Sequence, residues 1–202
     1  MELIKKAQIP VAIYNTYTGF SDEDAEKRKK AAEIINYFGS DGVKYNLGKN
    51  DDLLDVYLEN LQNWADSLPE KCRLLCECHG GTVLEDPETA GQVLGELDDK
   101  FQAIVHCCGD SEKLVKWFDN LGEKITHAHV SLKANGKGVR LRSNPGLILE
   151  NLYIMKTAGF KGTFTLEFTE GLRSEKENIE DSYQAALDDL QFLQEKYQEV
   201  WN

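Results

Sequence analysis

The chain contains four histidines, His79, His106, His127 and His129, and all of them fall at or near the C-terminal ends of segments that read as β-strands. Glu77 and Glu167 occupy the same ends of two such segments. Side chains alternate faces along a strand, so Glu77 and His79 are expected on one face and Cys76 and Cys78 on the other. His127 and His129 likewise share a face, which Ser131 and Lys133 continue. A carboxylate set among apolar strand residues carries a large desolvation cost unless a charge or a metal offsets it. Carboxylate oxygens and imidazole nitrogens without a thiolate suit Mn²⁺, Mg²⁺, Co²⁺ or Zn²⁺, with positions left open for a substrate. Taken singly, each histidine also reads as a satisfied core residue, His106 before its two cysteines most of all. Glu77 or Glu167 alone also reads as a helix cap or a lysine partner. The signal is the shared edge, not any one residue.

The elements that must position these residues alternate along the whole chain. Strands are expected over Val11–Asn15, Gly42–Leu47, Arg73–His79, Phe101–Cys108, Ile125–Leu132 and Thr163–Thr169. They are short, mostly apolar and bounded by Gly, Pro, Asn or Asp, as buried parallel strands are. Amphipathic helices lie between them. One follows Ser21 and ends at Gly39, and one follows Asn50 with an apolar stripe from Leu53 to Ala65. Others follow Asp86-Pro87, Ser111 and Asn144-Pro145, and a last one covers about Ile179 to Trp201. This alternation predicts an α/β fold with a parallel sheet and right-handed crossovers, in one domain spanning residues 1–202. Its six βα units make either an open doubly wound sheet or most of a barrel, and no G-x-G-x-x-G or P-loop follows any strand. In such folds ligands bind at the C-terminal edge of the sheet, where the glutamates and histidines fall.

Composition narrows the function classes. The 202 residues carry 35 acidic and 23 basic side chains, for a formal net charge of −12. The most basic stretch, Lys133 to Arg142, holds four positive charges in ten residues, so nucleic acid is disfavoured as a partner. No apolar run approaches a membrane span, and the first residues lack the layout of a signal peptide, so a cytoplasmic location is expected. Five cysteines, an odd count with Cys107 and Cys108 adjacent, do not read as a disulfide framework.

The segment Leu74-Leu75-Cys76-Glu77-Cys78-His79-Gly80-Gly81-Thr82, followed by Asp86-Pro87-Glu88-Thr89-Ala90, resembles the xylose isomerase-like TIM barrels, the sugar phosphate isomerase/epimerase group related to endonuclease IV. Ile125-Thr126-His127-Ala128-His129-Val130 and Ala158 to Glu167 match as well, so the resemblance runs from about residue 9 to 170. It implies a (β/α) TIM-type barrel. Val11–Asn15 aligns with the third strand, so the barrel is incomplete: about six βα units, the first two missing. It also implies a divalent metal held by a Glu, an Asp, a His and a Glu. Carried over, these are Glu77, His129 and Glu167, with His106 at the Asp position. That exchange of an anion for a neutral donor disfavours Mg²⁺ and favours softer ions. Gly109 stands where the family often has a histidine, and Ser131-Leu132 where it often has a basic-acidic pair. The implied function is isomerisation or epimerisation of a small sugar or sugar phosphate through an enediolate. In it Glu77 and Glu167 exchange the proton, His79 and His127 orient substrate oxygens, and Lys133 steers a phosphate or carboxylate. Two other readings stand beside it: a degenerate partial barrel without turnover, and an endonuclease IV-like metal-dependent hydrolase. A barrel short of two units also suggests association with a second copy.

Overall fold

The computed structural model describes residues 2–8, 10–172 and 177–202. A short helix α1 (Glu2–Lys6) precedes the repeating pattern: β1 (Ile13–Asn15), α2 (Ala25–Phe38), β2 (Gly42–Tyr45), α3 (Leu54–Asp66), β3 (Arg73–Glu77), α4 (Pro87–Gly95), β4 (Phe101–Cys107) and α5 (Ser111–Leu121). It continues through β5 (Ile125–Val130), a hairpin of β6 (Leu132–Ala134) and β7 (Lys137–Val139), α6 (Pro145–Thr157), β8 (Thr163–Leu166) and α7 (Ile179–Trp201). The helix starts are set by short polar side chains that accept otherwise unpaired backbone N–H groups. Asn50 accepts from Asp52, Asp86 from Thr89, Asn144 from Leu147, and Asn178 from Glu180 and Asp181. At α5 the cap is Asp110, which accepts from Lys113, and not Ser111. Ser21 makes no such cap; its hydroxyl donates to Asp24 instead. Gly39 ends α2 with φ 64°, a left-handed position that glycine takes without strain.

Six strands form one sheet in the order β1-β2-β3-β4-β5-β8, and the hairpin β6-β7 stands apart from it. The printed pairs β1-β2, β2-β3 and β5-β8 are parallel, as helical crossovers require. This corrects the expectation of a TIM-type barrel: the sheet is open, with β1 and β8 at its two edges and helices flanking it. Closure requires the first strand to pair with the last, and a barrel of this kind uses about eight strands to achieve it. The edges here are short, three residues in β1 and four in β8, which limits the unpaired backbone that an open sheet presents.

Packing divides the chain within β4 into two compact units, Met1–Ala103 and Ile104–Asn202. The first is built around Phe20, whose ring meets Tyr45 and Trp64 edge-on at 5.5 and 5.6 Å, with Ile35, Leu61, Leu74 and Leu75 fully buried. Arg28 is buried but satisfied: its guanidinium donates to the carbonyls of Gly19 and Ser21, and its own carbonyl accepts from Trp64 Nε1 at 2.9 Å. The second unit buries Leu114, Ile148, Leu152 and Met155. Two buried polar residues fix its loops. Asn151 accepts from the Cys108 backbone and donates to Ser111 Oγ and the Leu147 carbonyl. Asp189 on α7 accepts from the Leu141 backbone and from Thr169 Oγ1. Among the described residues no helix is long and apolar enough to cross a membrane.

All five cysteines are free and buried. Cys107 Sγ lies 3.4 Å from Cys108 Sγ. Its hydrogen bond with Cys108, and then burial, push the Cys107 thiol well above its ordinary range. The bond to Cys76, and then burial, do the same to Cys78. A thiol held protonated and out of solvent is a poor nucleophile. Native protein mixed with a thiol-specific chromogenic disulfide at pH 8 is therefore expected to show no fast phase, and denatured protein to release the full count of five thiols. A fast phase in the native protein would refute this.

Candidate metal centre

In the second unit three donors are brought together by strand geometry. Parallel pairing of β5 with β8 sets His127 beside Thr163 and His129 beside Thr165. The same register carries one residue further, where the Glu167 backbone donates to the Val130 carbonyl at 3.1 Å. His106 is the penultimate residue of β4. The Glu167 carboxylate is within ion-pair reach of both imidazoles: Oε2 is 3.4 Å from His106 Nδ1, and Oε1 is 3.8 Å from His129 Nδ1. The His106 and His129 rings meet edge-on with centroids 5.2 Å apart. A direct charge-assisted hydrogen bond would be shorter, about 2.7–2.9 Å. Donors that share an ion about 2.1 Å away lie about 3.0–3.4 Å from one another. The 3.4 Å spacing falls at the edge of that range and the 3.8 Å spacing beyond it, and both are too long for a direct charge-assisted hydrogen bond. Glu167 Oε2 is also buried without a hydrogen-bond partner, a desolvated position that a positive ion offsets.

In the first unit Glu77 closes β3 and is 5% exposed. Pairing of Lys44 with Leu75 puts Lys44 and Glu77 on one face of the sheet. Lys44 Nζ donates to Glu77 Oε2 at 2.6 Å and to Asn46 Oδ1 at 2.8 Å. Asn46 Nδ2 donates in turn to the Glu77 carbonyl at 2.8 Å and to Oε2 at 3.3 Å. Lys44 is itself buried, with its ammonium 4.9 Å from the centroid of the exposed Tyr17 ring. Sequence reasoning passed over Lys44 and Asn46. The signal was there in Gly42-Val43-Lys44-Tyr45, since a lysine inside an otherwise apolar strand is buried only when something pairs with it.

Taking one donor atom from each, His106, His129 and Glu167 of the second unit lie within 4.8 Å of one another and can hold a metal ion. They are three of the four residues expected as ligands; the fourth, Glu77, belongs to the first unit. Two imidazoles with a carboxylate make a mixed N/O set, suited to Zn²⁺, Co²⁺ or Mn²⁺ more than to an ion that prefers oxygen alone.

The other expected site residues are placed differently. His79 lies past the end of β3, exposed, with Nδ1 donating to the Gly80 carbonyl at 2.7 Å. His127 is buried, hydrogen-bonded through Nδ1 to Thr163 Oγ1 at 2.7 Å, and its ring meets that of His129 at 5.5 Å. That packing makes it a support for the His129 ring. Lys133 is exposed on β6, its ammonium 5.0 Å from the centroid of the Phe168 ring, next in sequence to Glu167. Compared with known proteins, the chain matches no protein-family model and no curated protein.

Proposed function

We propose that this protein is a metal-dependent isomerase or epimerase of a small sugar or sugar phosphate. The observation that carries the reading is the grouping of two imidazoles with a carboxylate, His106, His129 and Glu167, within 4.8 Å; the motif resemblance adds Glu77 as the second carboxylate. The motif resemblance to the xylose isomerase-like proteins supports the same chemistry. A divalent ion held by these residues supplies Lewis acidity, which makes a C–H beside a carbonyl acidic. Glu77 and Glu167 serve as the pair that takes and returns the proton. His127 keeps His129 in place, His79 lies at the exposed end of the strand for a substrate hydroxyl, and Lys133 meets a phosphate or carboxylate. The net charge of −12 disfavours a polyanionic substrate. Five free cysteines fit a reducing compartment such as the cytoplasm.

The test is solvent exchange at carbon. Mn²⁺-loaded protein is incubated in deuterated water with a panel of aldoses, ketoses and their phosphates, and C–H loss is followed by proton NMR. One member of the panel is expected to exchange a single C–H, and Glu77→Gln to slow that exchange by roughly 10²–10⁴-fold. A second reading, a metal-binding fold without turnover, draws on the Lys44–Glu77 pair, which neutralises Glu77 from within the chain. Protein that binds Mn²⁺ yet exchanges nothing across the panel supports that reading and ends the first.

A further inference from the structure

We propose that Cys107 and Cys108 are a redox pair that closes to a vicinal disulfide under peroxide, and that closure weakens metal binding by displacing the His106 side chain. All three residues belong to the second unit. The link to metal rests on the centre formed by His106, His129 and Glu167, but not on the reaction proposed for it.

Consecutive side chains on a strand point to opposite faces, so adjacent cysteines ordinarily hold their thiols apart. Here β4 ends at Cys107, and Cys108 takes φ 72°. That left-handed region is uncommon for a residue with a Cβ. Gly109, the next residue, would take it without strain. The turn brings the two sulfurs to 3.4 Å, with both cysteines buried. Asn151, fully buried itself, accepts from the Cys108 N–H and holds the turn in place. A backbone position held against its preference points to a use for the geometry it creates. Peroxide is the oxidant class, because a molecule little larger than water reaches a buried pair that bulky disulfides do not. The Cys108 sulfur attacks one peroxide oxygen, the O–O bond breaks, and the thiol proton leaves with the other oxygen as water. The Cys107 sulfur then attacks the sulfenic acid so formed. Its S–S bond replaces the S–O bond, and the departing hydroxide takes the Cys107 proton as a second water. The two thiols lose two electrons and the peroxide gains them. Protonated thiols react slowly, so the pair answers sustained exposure and not a brief pulse. Adjacent Cα atoms lie about 3.8 Å apart, short of the usual disulfide span of about 4.4–6.8 Å. A bond closed across that gap is strained and easily reduced, which makes the change reversible. His106 shares a peptide bond with Cys107, and its Nδ1 lies 3.4 Å from Glu167 Oε2. Closing the ring twists the end of β4 and carries the imidazole away from that carboxylate.

The test treats reduced protein with hydrogen peroxide, removes the peroxide by desalting, and titrates Mn²⁺, read by the loss of its free electron paramagnetic resonance signal. Treated protein, once denatured, is expected to release three thiols in place of five. Mass spectrometry is expected to show the peptide carrying Cys107 and Cys108 lighter by two hydrogens. Mn²⁺ affinity is expected to fall roughly tenfold, the low end for a disturbed ligand orientation, and dithiothreitol to restore it. Cys107→Ala and Cys108→Ala are each expected to keep their affinity through the treatment, which assigns the loss to the pair. Cysteines at these positions that stay reduced, or that take up oxygen without joining, overturn the proposal. A disulfide that forms and leaves Mn²⁺ affinity unchanged overturns it as well. Reduced protein that binds no Mn²⁺ removes the metal centre itself, and this inference with it. Affinity that falls and recovers with the disulfide, without solvent exchange at carbon, removes the proposed reaction and leaves this inference standing.

Discussion

Glu167→Gln is expected to lower Mn²⁺ affinity by on the order of a hundredfold or more, since loss of a ligand exceeds the 10–100-fold typical of an outer partner. The Glu167 carboxylate is within ion-pair reach of both imidazoles, His106 at 3.4 Å and His129 at 3.8 Å. The amide keeps the shape and removes the charge, so a fall in affinity reports coordination and not packing. Stability supplies the second readout. A metal at a hundred times its dissociation constant stabilises the folded state by about 2.7 kcal/mol, which in a chain of this size raises Tm by about 5–10 °C. The wild type is expected to show that rise and Glu167→Gln to lose it. Glu170→Gln is the control. Glu170 sits three residues on and is paired with Arg140 at the surface, and its loss is expected to leave metal affinity unchanged. Equal affinity in wild type and Glu167→Gln would end the metal-centre reading.

Much of this site was legible in the sequence because strands announce their faces. Six apolar runs, each with polar punctuation, gave the strands of the sheet to within a few residues at their ends, and the placement of His106, His129 and Glu167 followed from where those runs stop. Other features escaped for physical reasons. His79 was assigned the face of Glu77 by alternation, but β3 ends at Glu77 and the chain turns there. The β6-β7 hairpin was not expected: the strand over Ile125–Leu132 took in only its first residue, although Asn135-Gly136 stood in plain view. Their φ angles of 52° and 75° are those of the tight turn for which that pair is favoured. A lysine inside the apolar segment Gly42 to Tyr45 announced a buried partner, but which partner Lys44 and Asn46 take comes from cross-strand register, which no single segment carries. Whether the sheet closes depends on what its edge strands pair with, so a run of six βα units reads the same for an open sheet as for an arc of a barrel.

Close approach of β8 to β5 gives the other large effect. Gly162 immediately precedes β8, and a Cβ there would collide with the carbonyl oxygen of Thr126 on β5. Backbone cannot rotate aside as a side chain can, so relief requires β8 to move away from β5. Gly162→Ala is expected to cost about 1–3 kcal/mol, lowering Tm by about 2–4 °C for each kcal/mol. The displaced strand carries the hydrogen bond from the Glu167 backbone to Val130, so metal affinity is expected to fall along with stability. A purely local packing defect would lower Tm and leave affinity intact. Gly95→Ala is the matched control, because a Cβ at that position meets nothing within 4 Å. Differential scanning calorimetry and Mn²⁺ titration on the same three proteins read both quantities. Wild-type Tm in Gly162→Ala would show that β8 is not held as close to β5 as described, and with it that Glu167 is not fixed by that pairing.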